Sequence, residues 1–274
     1  MGVCKFCGRD AGLLRGEHKE CRTAHDDAVT HIPEFFVQAL NSAIEPKLFT
    51  SVLMDEAKHS YINEKEFRQL AIAGVKAMIN RASANGILAE SEQSRIREIR
   101  DAFGIDGSDI GGEAGNRFQK ASILSRLDHG ELPKVNVQGR MPLSLAKGEA
   151  LIWVFNGVDG VTTETHSKFV GASSGVSVRL MKGLSVRSGR MQGHSVKTKN
   201  LASMGNGDLV ITNRSVYFLT GVKVIKLSRN VIVAANAAND GVAILRNGDL
   251  PPMIFKVDDP PFAADVIGKL NQLP

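Results

Sequence analysis

All three cysteines of this 274-residue chain fall in its opening stretch, MGVCKFCGRDAGLLRGEHKECRTAHDD. Three thiols cannot all pair within one chain. Cys4 and Cys7, two residues apart and followed by Gly8, instead have the spacing of a knuckle that turns two sulfurs toward one ion. His18 and Cys21 lie three apart, so the first turn of a helix starting near Lys19 would aim both at the same point. A thiolate-rich tetrahedral set selects Zn2+ over magnesium or calcium, which prefer oxygen. His25, one helical turn beyond Cys21, competes with His18 for the fourth position, a C-x3-H pair replacing H-x2-C. Four protein ligands close a zinc site, whereas a catalytic zinc keeps one position for water. A closed site is expected to hold the fold, supplying on the order of 10 kcal/mol to a segment with almost no core.

Just past the last thiol the residue types change from ligands to acid–base groups. His25, Asp26 and His31 follow Arg22 within ten residues, with Asp27, Arg9, Arg15 and Lys19 nearby. A histidine can take a proton from a ribose 2′-hydroxyl or give one to a leaving oxygen, and a neighbouring cation can stabilise the phosphorane charge. His25, Asp26, Arg22 and His31 are therefore the candidate catalytic residues for metal-independent RNA cleavage. The same residues also suit a role as helix-capping and solvated side chains. A second charged region runs from His166 to Asn200, with no Asp or Glu. Arg179, Lys182, Arg187, Arg190, Lys197 and Lys199 within it are the candidate nucleic-acid contacts, against the alternative of a solvated basic strand-and-loop face.

Three zones must position these groups: a zinc-binding finger over 1–31, a helical domain over 32–132 and a β domain over 133–274. In the helical zone Pro33 and Pro46 suit first helical positions, and Asn63 suits an N-cap before EKEFRQLAIAGVKAMINRAS. There Phe67, Leu70, Ala71, Val75, Met78 and Ile79 share a face. The run GIDGSDIGGEAGN lacks both the phosphate-loop order and the calcium-loop order and is expected to be a connecting loop before a helix over about Arg117 to Asp128. Beyond Pro133 the period becomes alternating, from ALIWVFN to MIFKV, with Gly-Asn, Asn-Gly and Asp-Gly turns. DDPPFAADVIGKLNQLP reads as a terminal helix with Phe262, Val266, Ile267 and Leu270 on one face. The fold class is α+β, with a curved antiparallel sheet whose open end this helix plugs. His59 and His129 fall at helix ends and Trp153 in the core, none needing a functional role.

The run GDLVITNRSVYFLTGVKVIKLSRNVIVAANAANDGVAILRNGDLPPMIFKV resembles bacterial PH-like and GRAM-like domains, and GASSGVSVRLMKGLSVRSGRMQG is similar to the basic hairpin that often precedes them. CKFCGRDAGLL with HKEC resembles small zinc-ribbon or treble-clef modules, and that likeness favours His18 as the fourth ligand. ILAESEQSRIREIRDAFGI is similar to tellurite-resistance-type helical domains. The order finger, helices, PH-like domain is similar to ring-activated zinc-finger ribonucleases of bacterial antiphage defence. The resemblance implies a ribonuclease-type effector that forms a homo-oligomer closed into a ring, is triggered by a phage protein and acts on RNA. The alternative is a non-catalytic nucleic-acid- or protein-binding adaptor with a structural zinc. Thiols placed for metal fit a cytoplasmic, reducing setting. With no apolar run near the ~20 residues that cross a bilayer, no stable membrane insertion is expected.

Overall fold

The computed structural model describes residues 2–13, 15–84, 88–133, 143–168, 176–181, 184–188, 196–248 and 250–273. The chain divides into two compact units, Met1–Ser122 and Ile123–Pro274.

The first unit begins with a short antiparallel pair, β1 (Gly2–Val3) and β2 (Asp10–Gly12), followed by α1 (Lys19–Ala39), α2 (Pro46–His59), α3 (Glu64–Ala82), α4 (Glu90–Ala102) and the single turn α5 (Gly107–Ile110). The sixth helix, α6 (Gly112–Asp128), contains the division between the units. Asn63 caps α3 as its residue type predicts, its side chain accepting from the Glu66 amide at 3.0 Å. Val75, Met78 and Ile79 on the expected face are fully buried.

Two expectations are corrected here. Pro33 does not begin a helix; it lies inside α1. Interior proline normally costs about 3 kcal/mol or more. An unbroken stripe (Cys21, Ala28, Ile32, Phe36 and Ala39) is buried across that point, and its packing keeps the helix whole. The run GIDGSDIGGEAGN is not simply a loop either, because α5 and the start of α6 fall within it. Ile110 and Ala114 bury into the helical core there, which outweighs the poor helix propensity of the glycines.

Aromatic contacts knit this core together. The Phe36 ring lies 5.2 Å from Phe49 and 4.8 Å from Phe103 between centroids. α1 packs chiefly on α3, and Gly74 of α3 makes room for Phe36: a methyl at Gly74 would sit 2.4 Å from its ring.

The second unit is an antiparallel sheet of seven strands among the described residues. In chain order the strands of this unit are β3 (Leu151–Lys168), β4 (Val176–Met181), β5 (Leu184–Ser188), β6 (Val196–Thr212), β7 (Ser215–Thr220), β8 (Val224–Ser228), β9 (Ile232–Ala238), β10 (Gly241–Arg246) and β11 (Met253–Lys256). The main sheet runs β8-β7-β6-β3-β11-β10-β9, and among the described residues β4 pairs with β5 as a separate hairpin. ALIWVFN and TTETHSK form one long strand rather than two. Shifted register between Phe155 and Val158, with Gly157 at φ +65°, carries the strand through the interruption.

β3 and β6 pair from Leu151↔Thr212 to Lys168↔Val196, whereas β11 reaches β3 only as far as Thr162 and β7 reaches β6 only from Gly207. Six further pairs, Thr163↔Leu201 to Lys168↔Val196, thus continue as a two-stranded ribbon. The final helix, α7 (Pro260–Lys269), packs on β9 and β10, capped by the Asp259 carboxylate on the Phe262 amide. Phe262, Val266, Ile267 and Leu270 enter the sheet core as the pattern predicts, and Trp153 lies against Phe262 at 5.0 Å.

A buried polar knot closes one end of this sheet. Glu149 Oε1 accepts from Thr212 Oγ1 at 2.7 Å and from the Tyr217 hydroxyl at 2.9 Å. Burial pushes the Glu149 carboxyl up. The Thr212 and Tyr217 hydroxyls, the Ala146 amide and the Lys226 charge more than offset it and hold the group below the usual range.

Candidate metal centre

Cys4 and Cys7 are presented by the turn between β1 and β2. His18 is the N-cap of α1, and Cys21 lies in that helix's first turn. Gly8, at φ +72°, closes the knuckle with its amide on the Cys4 carbonyl at 2.9 Å. One ligand atom from each of Cys4, Cys7, His18 and Cys21 lies within 4.8 Å of the others. His18 Nδ1 stands 3.3 Å from the Cys7 sulfur and 3.7 Å from the Cys21 sulfur. Tetrahedral bonds of about 2.3 Å to sulfur and 2.0 Å to nitrogen would set neighbouring ligand atoms about 3.5–3.8 Å apart, so these residues can hold a metal ion.

The surroundings orient the ligands. His18 Nε2 donates to the Asp10 carbonyl at 2.9 Å, which leaves the Nδ1 lone pair facing the sulfurs. The His18 amide points at the Cys4 sulfur, 3.4 Å away. Burial pushes the Cys4 thiol up, but the backbone amides of Cys7, His18 and Phe6 outweigh it and hold the group at about 6, so it is thiolate at neutral pH. The His18 ring is raised, first by the Asp10 carbonyl and then by Cys7. Burial, joined by the neighbouring Cys7 and Cys4, raises Cys21, opposed by the nearby Tyr61 hydroxyl.

His25 stands outside this set. Its Nε2 lies 3.0 Å from Glu66 Oε1 of α3 and its Nδ1 3.3 Å from Asp26 Oδ1, while its ring lies 4.9 Å from that of Phe6. Arg22 bonds Glu17 at 2.8 Å and approaches Asp26 at 3.5 Å, and Lys5 meets Glu17 at 2.7 Å. The fold therefore brings His25, Asp26 and Arg22 into one chain of polar contacts that ends on Glu66. His31 is exposed and six residues further along α1, well round the helix from His25.

Of the basic candidates, Lys182 and Arg190 lie outside the described residues. Arg179 and Arg187 fall on β4 and β5, and Lys197 and Lys199 on the ribbon strand β6. Register pairs Arg179 with Ser185, Arg187 with Ser177, Lys197 with Ser167 and Lys199 with Thr165.

Sequence reading missed two residues beside the metal centre. Glu66 is visible in the sequence only as the acidic residue three after an Asn cap, a helix-start signal rather than a histidine partner. Tyr61 follows α2 in HSYIN and carries no motif at all. No protein-family description, no curated protein and no solved structure matches the chain.

Proposed function

We propose that the protein is a non-catalytic binding adaptor, a zinc-stapled finger fixed to a helical unit, with RNA or another nucleic acid as its partner. The observation that carries this reading is the engagement of His25: its Nε2 lies 3.0 Å from Glu66 Oε1 and its Nδ1 3.3 Å from Asp26 Oδ1, so both ring nitrogens are taken up by carboxylates of the same unit. Zinc is the metal best suited to three sulfurs and one imidazole. The two-stranded ribbon of β3 and β6 and the acid-free run from His166 to Asn200 supply a positively charged arm for phosphates. The β unit, an antiparallel sheet with a terminal helix, is compatible with the PH-like resemblance, and through it with a homo-oligomer. Free thiols suit a cytoplasmic setting.

Fluorescence anisotropy with single-stranded RNA tests the reading. Affinity is expected to fall roughly tenfold or more between 50 and 200 mM salt. It is also expected to weaken when Lys197 and Lys199 are changed to Gln, with zinc content unchanged. Absent or salt-insensitive binding would turn the proposal toward a protein partner.

A second reading, the ribonuclease-type antiphage effector triggered by a phage protein, is favoured by the grouping of His25, Asp26 and Arg22 one turn beyond Cys21. It requires His25 to leave one carboxylate when RNA binds. His25→Ala would then abolish cleavage without lowering zinc content, and intact RNA after incubation with activated wild type would exclude it.

A further inference from the structure

The finger has little with which to grip the helices that follow it. Of its larger apolar side chains among the described residues, Val3 and Leu13 are 64% and 82% exposed. Phe6 is half-buried and faces two ways. Within the finger it packs beside Cys4, Ala11 and Cys21. Beyond the finger its ring lies 4.9 Å from that of His25 in α1 and 6.3 Å from that of Tyr61, which sits between α2 and α3. Both separations fall within the roughly 4.5–7 Å of attractive aromatic pairs.

The two contacts lead to one place, the junction of α2 and α3. Tyr61 is part of it. The His25 side chain, only 17% exposed, carries its Nε2 to 3.0 Å from Glu66 Oε1. Glu66 is also the residue whose amide donates to the Asn63 cap, at 3.0 Å. The junction is locally strained: Tyr61 has φ +58°, the one residue other than glycine with positive φ among those described. A bulky residue keeps such a backbone only while its surroundings impose it.

We infer that Phe6 is the link through which metal occupancy of the finger sets the order of the α2–α3 junction. Phe6 stands between two ligands, one residue from Cys7 and two from Cys4, so fixing both sulfurs fixes the ring between them. Held there, the ring seats Tyr61 and His25, and His25 in turn holds Glu66. A finger without its ion has almost no core to keep the knuckle in shape, so the ring leaves and the junction relaxes. Such coupling is reciprocal: an intact junction raises the finger's affinity for the ion by the same factor. The inference rests on the metal reading of Cys4, Cys7, His18 and Cys21 and adds to it a readout in the helices.

Amide hydrogen exchange on the full chain, with zinc and after stripping by a chelator, tests it. The reporters are the amides of Ile62 and Phe67, which donate to the Ala57 and Asn63 carbonyls, each at 2.8 Å. In wild type both should exchange at least about fivefold faster once zinc is removed, the low end of coupling between linked sites, while Met78 and Ile79 further along α3 keep their rates. Phe6→Ala should bring the zinc-loaded chain to the stripped wild-type rate at both reporters. His25→Ala cuts the relay outside the finger's apolar cluster, so it should do the same at Phe67 with zinc content unchanged, even where Phe6→Ala fails to load. Wild type that takes up one zinc but changes by less than about fivefold at the reporters overturns the inference alone. So does a zinc-loaded variant whose Phe67 amide stays closer to the loaded than to the stripped wild-type rate. Wild type that takes up no zinc overturns the metal reading together with it.

Discussion

The finger and the β unit solve the same problem by opposite means. Among the described residues, the apolar cluster of the finger buries Cys4, Ala11 and Cys21, with Phe6 and Cys7 packed beside them. The β unit buries Ile152, Phe155, Phe218, Ile244 and Phe255 among many others. Apolar burial at about 25 cal/mol per Å2 can hold the second unit but has too little surface to act on in the first. What replaces it is a set of directional contacts: four residues that could hold a metal ion, the His18–Asp10 bond, and the chain of polar contacts from Lys5 through Glu17, Arg22 and Asp26 to His25 and Glu66. Surface members of that chain are individually worth about 0–1 kcal/mol, so on the proposed zinc reading the weight falls on the ion.

The contrast breaks most sharply if the metal is removed. Stripping the ion, or Cys21→Ser, should cost the finger on the order of 10 kcal/mol. Two-dimensional amide spectra should lose the resonances of residues 2–21 and keep those of the β strands; equal loss in both regions would deny the distinction. The reciprocal change is Phe218→Ala, which should cost about 3–5 kcal/mol in the β unit by denaturant titration with zinc content untouched. In the helical core, Gly74→Ala forces a methyl against Phe36 and should cost about 1–3 kcal/mol by the same measurement, without altering zinc affinity.

The smallest effect concerns acid. Glu149 is held below the usual carboxylate range when folded, so its contribution is complete above the unfolded value of about 4.3 and is lost as pH falls through the folded value. Denaturant midpoints of the β unit should thus decline only in acid, and Glu149→Gln should flatten part of that decline. A wild-type midpoint that fell instead between pH 8 and 6 would assign the dependence to other groups.

Legibility in the sequence followed the range of the forces involved. Cys4 and Cys7, His18 and Cys21, Asn63 as a cap, the prolines opening α2 and α7, and the alternation from Leu151 onward all act within a few residues, and each stands where its spacing predicts. Pro33 and the glycines of 104–116 misled for the complementary reason. Local propensity opposes a helix at those points, and burial of Ile32, Phe36, Ile110 and Ala114 overrides it.

The sequence by itself determined the ligand set, with His18 and His25 as rivals for one place, because ligand spacing along a turn and a helix is a local property. Only the tertiary structure decided between them. α3 brings Glu66 to within 3.0 Å of His25 Nε2, across a separation of 41 residues that no spacing rule encodes. Hydrogen bonds of that kind depend on where packed helices place their side chains, and packing is a property of the whole unit.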